Sequence, residues 1–260
     1  MADTASVSTY SAFWIFRLDP AFHRISDDAQ RLGKAEFLSA IEHKPKDIEM
    51  RGCYSLVGLR DDADLMFWIV GTDLDTVQQF AVSLRHTGLG AYLTSTATYI
   101  GVVSPARYDP GHLPAFMLGA TPKTFISVYP FIKTTEWYLL PYESRRELMA
   151  EHGLVGRKYA VPRDQLVEAK PEPRPTSRSR AAVAEKAPAA APAGGVLANT
   201  VDAFGLGDYE FILANESDDP AEISRMMEAL RATEVRRYTQ RDTPIFLGRR
   251  RDPADALSDL

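Results

Sequence analysis

One succession of periodicities occurs twice along this 260-residue chain, and it restricts the fold more than any single motif. Residues 10–18 are aromatic and apolar in the manner of a strand. Residues 26–41 carry Ala29, Leu32, Phe37 and Ile41 at helical spacing, with Ser26 and Asp27 placed to cap. Residues 47–59 and 65–70 read as strands on either side of a polar turn. Residues 73–87 read as a helix opened by Asp73, with Gly88 beyond its end, and residues 92–103 as a β-branched strand. The order β-α-β-β-α-β predicts a ferredoxin-like unit. The second half repeats it: strand 124–132, helix 142–152 ended by Gly153, strands 200–206 and 209–214, helix 219–230, and strand 236–247 broken near Pro244. The expected fold class is α+β, two tandem ferredoxin-like repeats of the dimeric α/β-barrel type. Helices cover one face of each sheet, so the bare faces must pack on each other or on another subunit.

The expected divisions are a flexible N-terminus (1–9), a first repeat (10–105), a connecting loop (106–123), a second repeat (124–250) and a tail (251–260). Residues 165–195, rich in Pro and Ala, interrupt the second repeat. They hold too few large apolar side chains to offset the entropy of ordering, which predicts a long disordered surface insertion. Its Arg174, Arg178 and Arg180 read as solvated charges on a tether.

Net charge is −5, which offers no general basic field for nucleic acid. The one cysteine, Cys53, lies in an alternating apolar run and reads as a buried structural thiol. The first ten residues have neither a basic region nor a long apolar stretch, and the strongest apolar window, 65–70, is too short for a bilayer. A soluble cytoplasmic protein without membrane or nucleic-acid partners is expected.

Residues 129–159, YPFIKTTEWYLLPYESRRELMAEHGLVGRKY, carry the chemistry. A phenol (Tyr129), an amine (Lys133), an indole (Trp137) and an imidazole near a helix end (His152) follow one another. A helix-end histidine beside an oxidisable tyrosine suits holding heme iron and passing a radical. Each residue also has a plain structural reading: Tyr129 and Trp137 as packing, Lys133 as a solvated strand end, His152 as a partner of the helix dipole.

The wider pattern YPFIK…EWYLLP…HG..GR.Y…NT…FGLGDYEFILA…LR.TE.RRY…P.F.GR resembles the chlorite-dismutase-like superfamily. Within it the chain is most similar to the actinobacterial-type coproheme decarboxylases. The likeness is dense over residues 123–249, looser over 10–104, and absent from the insertion and after Arg250. It implies peroxide-dependent oxidative decarboxylation of two propionates of Fe-coproporphyrin III (coproheme), giving heme b. It also implies a homopentamer and transient contact with coproporphyrin ferrochelatase. By position, His152 is the implied iron ligand, Tyr129 the radical-forming residue and Lys133 a propionate partner and proton source. Trp137 and Arg231 are implied propionate donors, and His112, in the connecting loop, the base that moves peroxide's proton. Glu234 is placed to orient the His152 ring. His23, His43 and His86 match no role and read as surface or helix-end residues. Two alternatives stay open: a chlorite dismutase, for which the distal arginine position is Ala198 unless Arg163 serves, and a non-catalytic heme-binding or delivery protein.

Overall fold

The computed structural model describes residues 8–104, 113–166 and 195–260. The first repeat runs β1 (Tyr10–Leu18), α1 (Asp27–Glu42), β2 (Ile48–Ser55), β3 (Leu65–Gly71), α2 (Leu74–Arg85) and β4 (Leu93–Val102). The second runs β5 (Phe125–Lys133), α3 (Thr135–Leu139), α4 (Tyr142–Gly156), α5 (Arg163–Leu166), β6 (Leu197–Asp202), β7 (Phe211–Ser217), α6 (Pro220–Arg231), β8 (Thr239–Arg241) and β9 (Phe246–Arg251). A final helix, α7 (Pro253–Ser258), follows. Ser26, Asp73 and Asp219 cap α1, α2 and α6 by accepting the N–H of Ala29, Thr76 and Ala221.

Within the repeats the strands lie in the orders β4-β1-β3-β2 and β6-β7-β5-β9. Edge strand pairs with edge strand between them, β4 with β6 and β2 with β9, so eight strands close into a barrel. The bare sheet faces thus pack on each other inside one chain. Phe13, Ile15, Tyr54, Met66, Trp68, Ile126, Val128, Ile212 and Phe246 fill the interior. The alternate residues of β1 and β3 (Trp14, Phe16, Phe67, Ile69) meet Phe37, Val77, Phe80 and Leu84 of α1 and α2 outside. Those strands are buried on both faces, which is why they read as continuous apolar runs.

The seams are narrow. β4 meets β6 through the single pair Val102–Asp202, and β2 meets β9 over Cys53–Ser55. At the first seam a Cβ on Gly101 would stand 2.4 Å from Val201 Cγ2 and 3.0 Å from Asp202 O, so only glycine lets the strands approach. Beside the interior lies a buried ion pair between repeats. Arg51 Nη2 donates to Glu216 Oε1 at 2.7 Å, and Arg51 Nη1 to Ala120 O at 3.0 Å. Asn199 Nδ2 adds a bond to Glu216 Oε1 (3.1 Å) and Lys123 N–H one to Oε2 (3.1 Å). The guanidinium lies 4.8 Å from the Trp68 ring centroid.

Several expectations shift. On α1 the buried face is Gly33, Phe37 and Ile41, whereas Leu32 is 62% exposed. A Cβ on Gly33 would meet Leu89 N at 2.8 Å; the chain after α2 crosses the helix there, turning Leu32 outward. Gly153 does not end the helix: α4 continues to Gly156, since one helical glycine costs only about 1 kcal/mol. The strand expected at 200–206 is β6, displaced towards the N-terminus, and the broken last strand is two strands, β8 and β9. Residues 251–260, read as a tail, include α7, whose Ala256 and Leu257 join the first repeat's outer core. Cys53 is buried as expected, and burial pushes its thiol well above the ordinary range.

Most of the insertion, 167–194, lies outside the described residues. Its start does not belong to a loose surface loop, because Leu166 is buried with Ala115, Ala120 and Leu197. The flanks are tied to each other: Val161 N–H donates to Val196 O and Val196 N–H to Tyr159 O, both at 3.0 Å.

Replacing Arg51 alone by methionine strands Glu216 as a buried charge and should lower the unfolding free energy by about 3–5 kcal/mol. Adding Glu216→Met should recover much of that loss; urea denaturation of both variants checks it. Removing residues 167–194 and joining the flanks through a short glycine linker should shift the melting temperature by only a few degrees, because loop closure entropy varies slowly with length.

Candidate functional site

Period-two alternation along β5 sends Ile126 and Val128 into the barrel and leaves Tyr129 and Lys133 on the opposite face, toward the second repeat's helices. This outer layer differs from its counterpart in the first repeat. Its apolar cluster is small: Val196, Ile223 and Met226, with Tyr159, Met227 and Leu230 packed against them. α4 buries no side chain fully. Where the first repeat has packed phenylalanines, the second places a phenol, an amine, an imidazole and paired guanidinium groups.

Tyr129 is 3% exposed and its hydroxyl donates to Met227 Sδ on α6 at 3.2 Å. Burial pushes the phenol well above its ordinary range, against a hydrogen bond with Asn215; Asp242 adds to the rise, and Arg231 and Arg236 oppose it. The phenol therefore keeps its proton at any physiological pH. At the end of β5, the Lys133 backbone N–H donates to Glu210 Oε2 at 2.6 Å. Its ammonium stands 4.4 Å from the Trp137 ring and 5.1 Å from Phe131. Burial lowers the Lys133 amine to about 8, with Glu210 opposing and Arg236 assisting. Trp137, on α3, is buried against Tyr238.

His152 lies on α4, one turn before its end. Burial, with Lys133 assisting, holds the imidazole down to about 4. Its Nδ1 is buried without a hydrogen-bond partner among the described residues. A neutral ring with an unused buried nitrogen fits the requirements of an iron ligand. Glu234 does not orient that ring: its carboxylate is 60% exposed and pairs with Arg237 at 2.6 Å. Arg231, the last residue of α6, donates to Asp242 Oδ2 at 2.9 Å, and Arg236 to the same oxygen at 2.6 Å.

Of the predicted residues, Tyr129, Lys133, Trp137, His152 and Arg231 gather on this face: Asp242, Arg231 and Arg236 act on Tyr129, Arg236 on Lys133, and Lys133 on His152 and the Trp137 ring. His112 lies outside the described residues. His23, His43 and His86 are exposed, the last two closing α1 and α2. Ala198 sits in β6 opposite Asn215. Asn215, Met227, Arg236 and Asp242 escaped sequence reading. Arg236 and Asp242 are charged residues outside the apolar periodicity, and only the fold shows that Arg236 shares Asp242 Oδ2 with Arg231. Two surface hollows lie elsewhere: about 460 Å³ bounded by residues including Gly58, Arg60 and Ile245, and about 330 Å³ bounded by residues including Lys123, Leu197 and Asp218. Neither is lined by the clustered residues.

The chlorite dismutase family profile matches residues 30–169 and 175–251. A coproheme decarboxylase of Mycolicibacterium smegmatis is 35% identical over 220 residues, 84% of this chain and 80% of that protein. Chlorite dismutase from Candidatus Nitrospira defluvii, solved with imidazole, superposes with a TM-score of 0.75 at 24% identity, covering 96% of this chain and 94% of its own. A mutant of the same enzyme solved with cyanide gives 0.75 at 23%, covering 96% and 93%. At that identity the two structures speak to the fold alone.

The His152 ring has a pH signature. Its folded value lies below the ordinary histidine value of 6.5, so its stability contribution is complete above about 6.5 and is lost as pH falls toward about 4. The stability difference between the ligand-free protein and its His152→Ala variant should therefore narrow across that window. Denaturant titrations from pH 7 to pH 4 measure it.

Proposed function

This chain belongs to the chlorite dismutase family, and from that premise we propose that it removes two propionate carboxyl groups from Fe-coproporphyrin III with hydrogen peroxide, giving heme b. The observation that carries the reading is the asymmetry of the two outer layers, with a buried phenol, a half-buried amine and imidazole, and a partly exposed guanidinium pair standing where the first repeat has apolar packing. Bound iron porphyrin supplies the reaction with peroxide. His152 holds the iron through a neutral ring nitrogen. Each step converts one propionate, one peroxide and one proton to a vinyl group, carbon dioxide and two waters.

The chain's own residues divide that work. Tyr129, held protonated by burial, would give one electron to the peroxide-oxidised porphyrin and its proton to the peroxide oxygen; the phenoxyl would take a hydrogen atom back from the propionate carbon next to the ring, and loss of carbon dioxide with a second electron to the same oxidant would leave the vinyl group. Met227 and Asn215 hold the phenol in place. Lys133, with its amine near 8, pairs with a propionate and delivers the proton that the stoichiometry requires. Arg231 and Trp137 donate to propionates. His112 moves the proton between the peroxide oxygens. The same reading includes a homopentamer in the cytoplasm that receives substrate from coproporphyrin ferrochelatase.

Tyr129→Phe keeps the shape and removes the hydrogen atom. It should bind coproheme like wild type and yield no three-propionate intermediate. Mass analysis of the porphyrin after peroxide titration decides. Stepwise loss of two carboxyl groups by wild type alone supports the enzyme; normal heme b from the variant overturns the role of Tyr129. Bleaching by wild type without a defined product identifies a binding or delivery protein.

A further inference from the structure

Asp242 has no assigned part in the chemistry, yet it sits at the centre of the charged cluster. One of its oxygens, Oδ2, takes both Arg231 Nη2 (2.9 Å) and Arg236 Nη1 (2.6 Å). The carboxylate side chain is 11% exposed, whereas the arginines are 44% and 39% exposed. The anion is thus withdrawn and the cations are presented. Each guanidinium has five N–H donors, so one bond to Asp242 leaves most of them for a ligand. Neighbouring carboxylates are committed elsewhere: Glu234 to Arg237, and Glu210 to the Lys133 backbone. The three residues come from separate segments, namely the end of α6, the single-turn helix Glu234–Tyr238 and the chain after β8. All three act on the Tyr129 phenol, and Arg236 also acts on the Lys133 amine.

We propose that Asp242 is a positioning residue for substrate: its carboxylate fixes Arg231 and Arg236 as a paired guanidinium cradle that receives porphyrin propionates beside Tyr129. Without it, two partly exposed guanidinium groups repel each other and sample many rotamers, and the ordering cost falls on substrate binding. The triad keeps a net charge of +1, and Lys133 adds another, which suits a polycarboxylate ligand. This inference rests on the functional reading above and adds a residue that acts through others without touching the substrate.

The test uses metal-free coproporphyrin III, so that iron ligation and turnover play no part. Its affinity for the ligand-free full chain is followed by fluorescence titration. Asp242→Ala should weaken binding about tenfold, the scale of a hydrogen bond to a charged group. Asp242→Glu should restore part of the loss, and Asp242→Asn, the fallback should the alanine variant fail to fold, should show a smaller loss. In an Arg231→Ala/Arg236→Ala background the Asp242 substitution should have no further effect, because its action runs through those side chains. Unchanged or tighter binding by Asp242→Ala, or an equal loss in the arginine-free background, overturns the positioning role while leaving the functional reading intact. Wild-type protein that binds no coproporphyrin III overturns both.

Discussion

The buried pair Arg51–Glu216 ties the two repeats together in addition to the narrow strand seams. Glu216 belongs to β7 and is fully buried; Arg51 reaches it from β2 and also holds the carbonyl of Ala120 in the connection between repeats. Burial alone drives the carboxyl toward its neutral form, and Arg51, the Lys123 N–H and Asn199 oppose that drive. An ion pair of this kind adds little net stability over an apolar replacement, but a mismatch is severe. Its contribution is therefore registration: only one way of joining the sheets brings the guanidinium, the carboxylate and the amide together.

Closure of the barrel decides where chemistry can sit. Inward side chains are spent on a shared core, so a ligand must use an outer layer. The first repeat fills its own with Trp14, Phe37, Phe67 and Phe80, and α7 adds Ala256 and Leu257. The second repeat leaves its outer layer thin and ionisable. The environment there is dry enough to keep Tyr129 protonated and His152 neutral, while Arg231 and Arg236 remain reachable.

The order of elements was legible in the sequence because strand and helix periods differ and because Ser26, Asp73 and Asp219 mark their helices. A barrel of this type was expected from the tandem repeats, but where its seams fall was not legible, since edge pairing at Val102–Asp202 leaves no local trace. Leu32 misled because helical spacing locates an apolar stripe without saying that a backbone crossing at Gly33 will rotate it outward. Gly153 misled because a glycine ends a helix only where the chain must turn. In the site, the tyrosine, lysine, tryptophan and histidine share one short segment and were visible together. Asn215, Met227 and Asp242 reach Tyr129 and its arginines only after the chain has gone round the barrel.

The separation of packed and ionisable outer layers also bears on how such a chain tolerates change. Two copies of one fold share a core, and one copy carries most of the outer packing that keeps the chain folded. Substitutions in the other copy's outer layer fall on a small apolar cluster and partly exposed charges, so few of them threaten folding. The architecture gives mutational freedom to the half that carries the ionisable cluster, so side chains there can change while the scaffold stays intact.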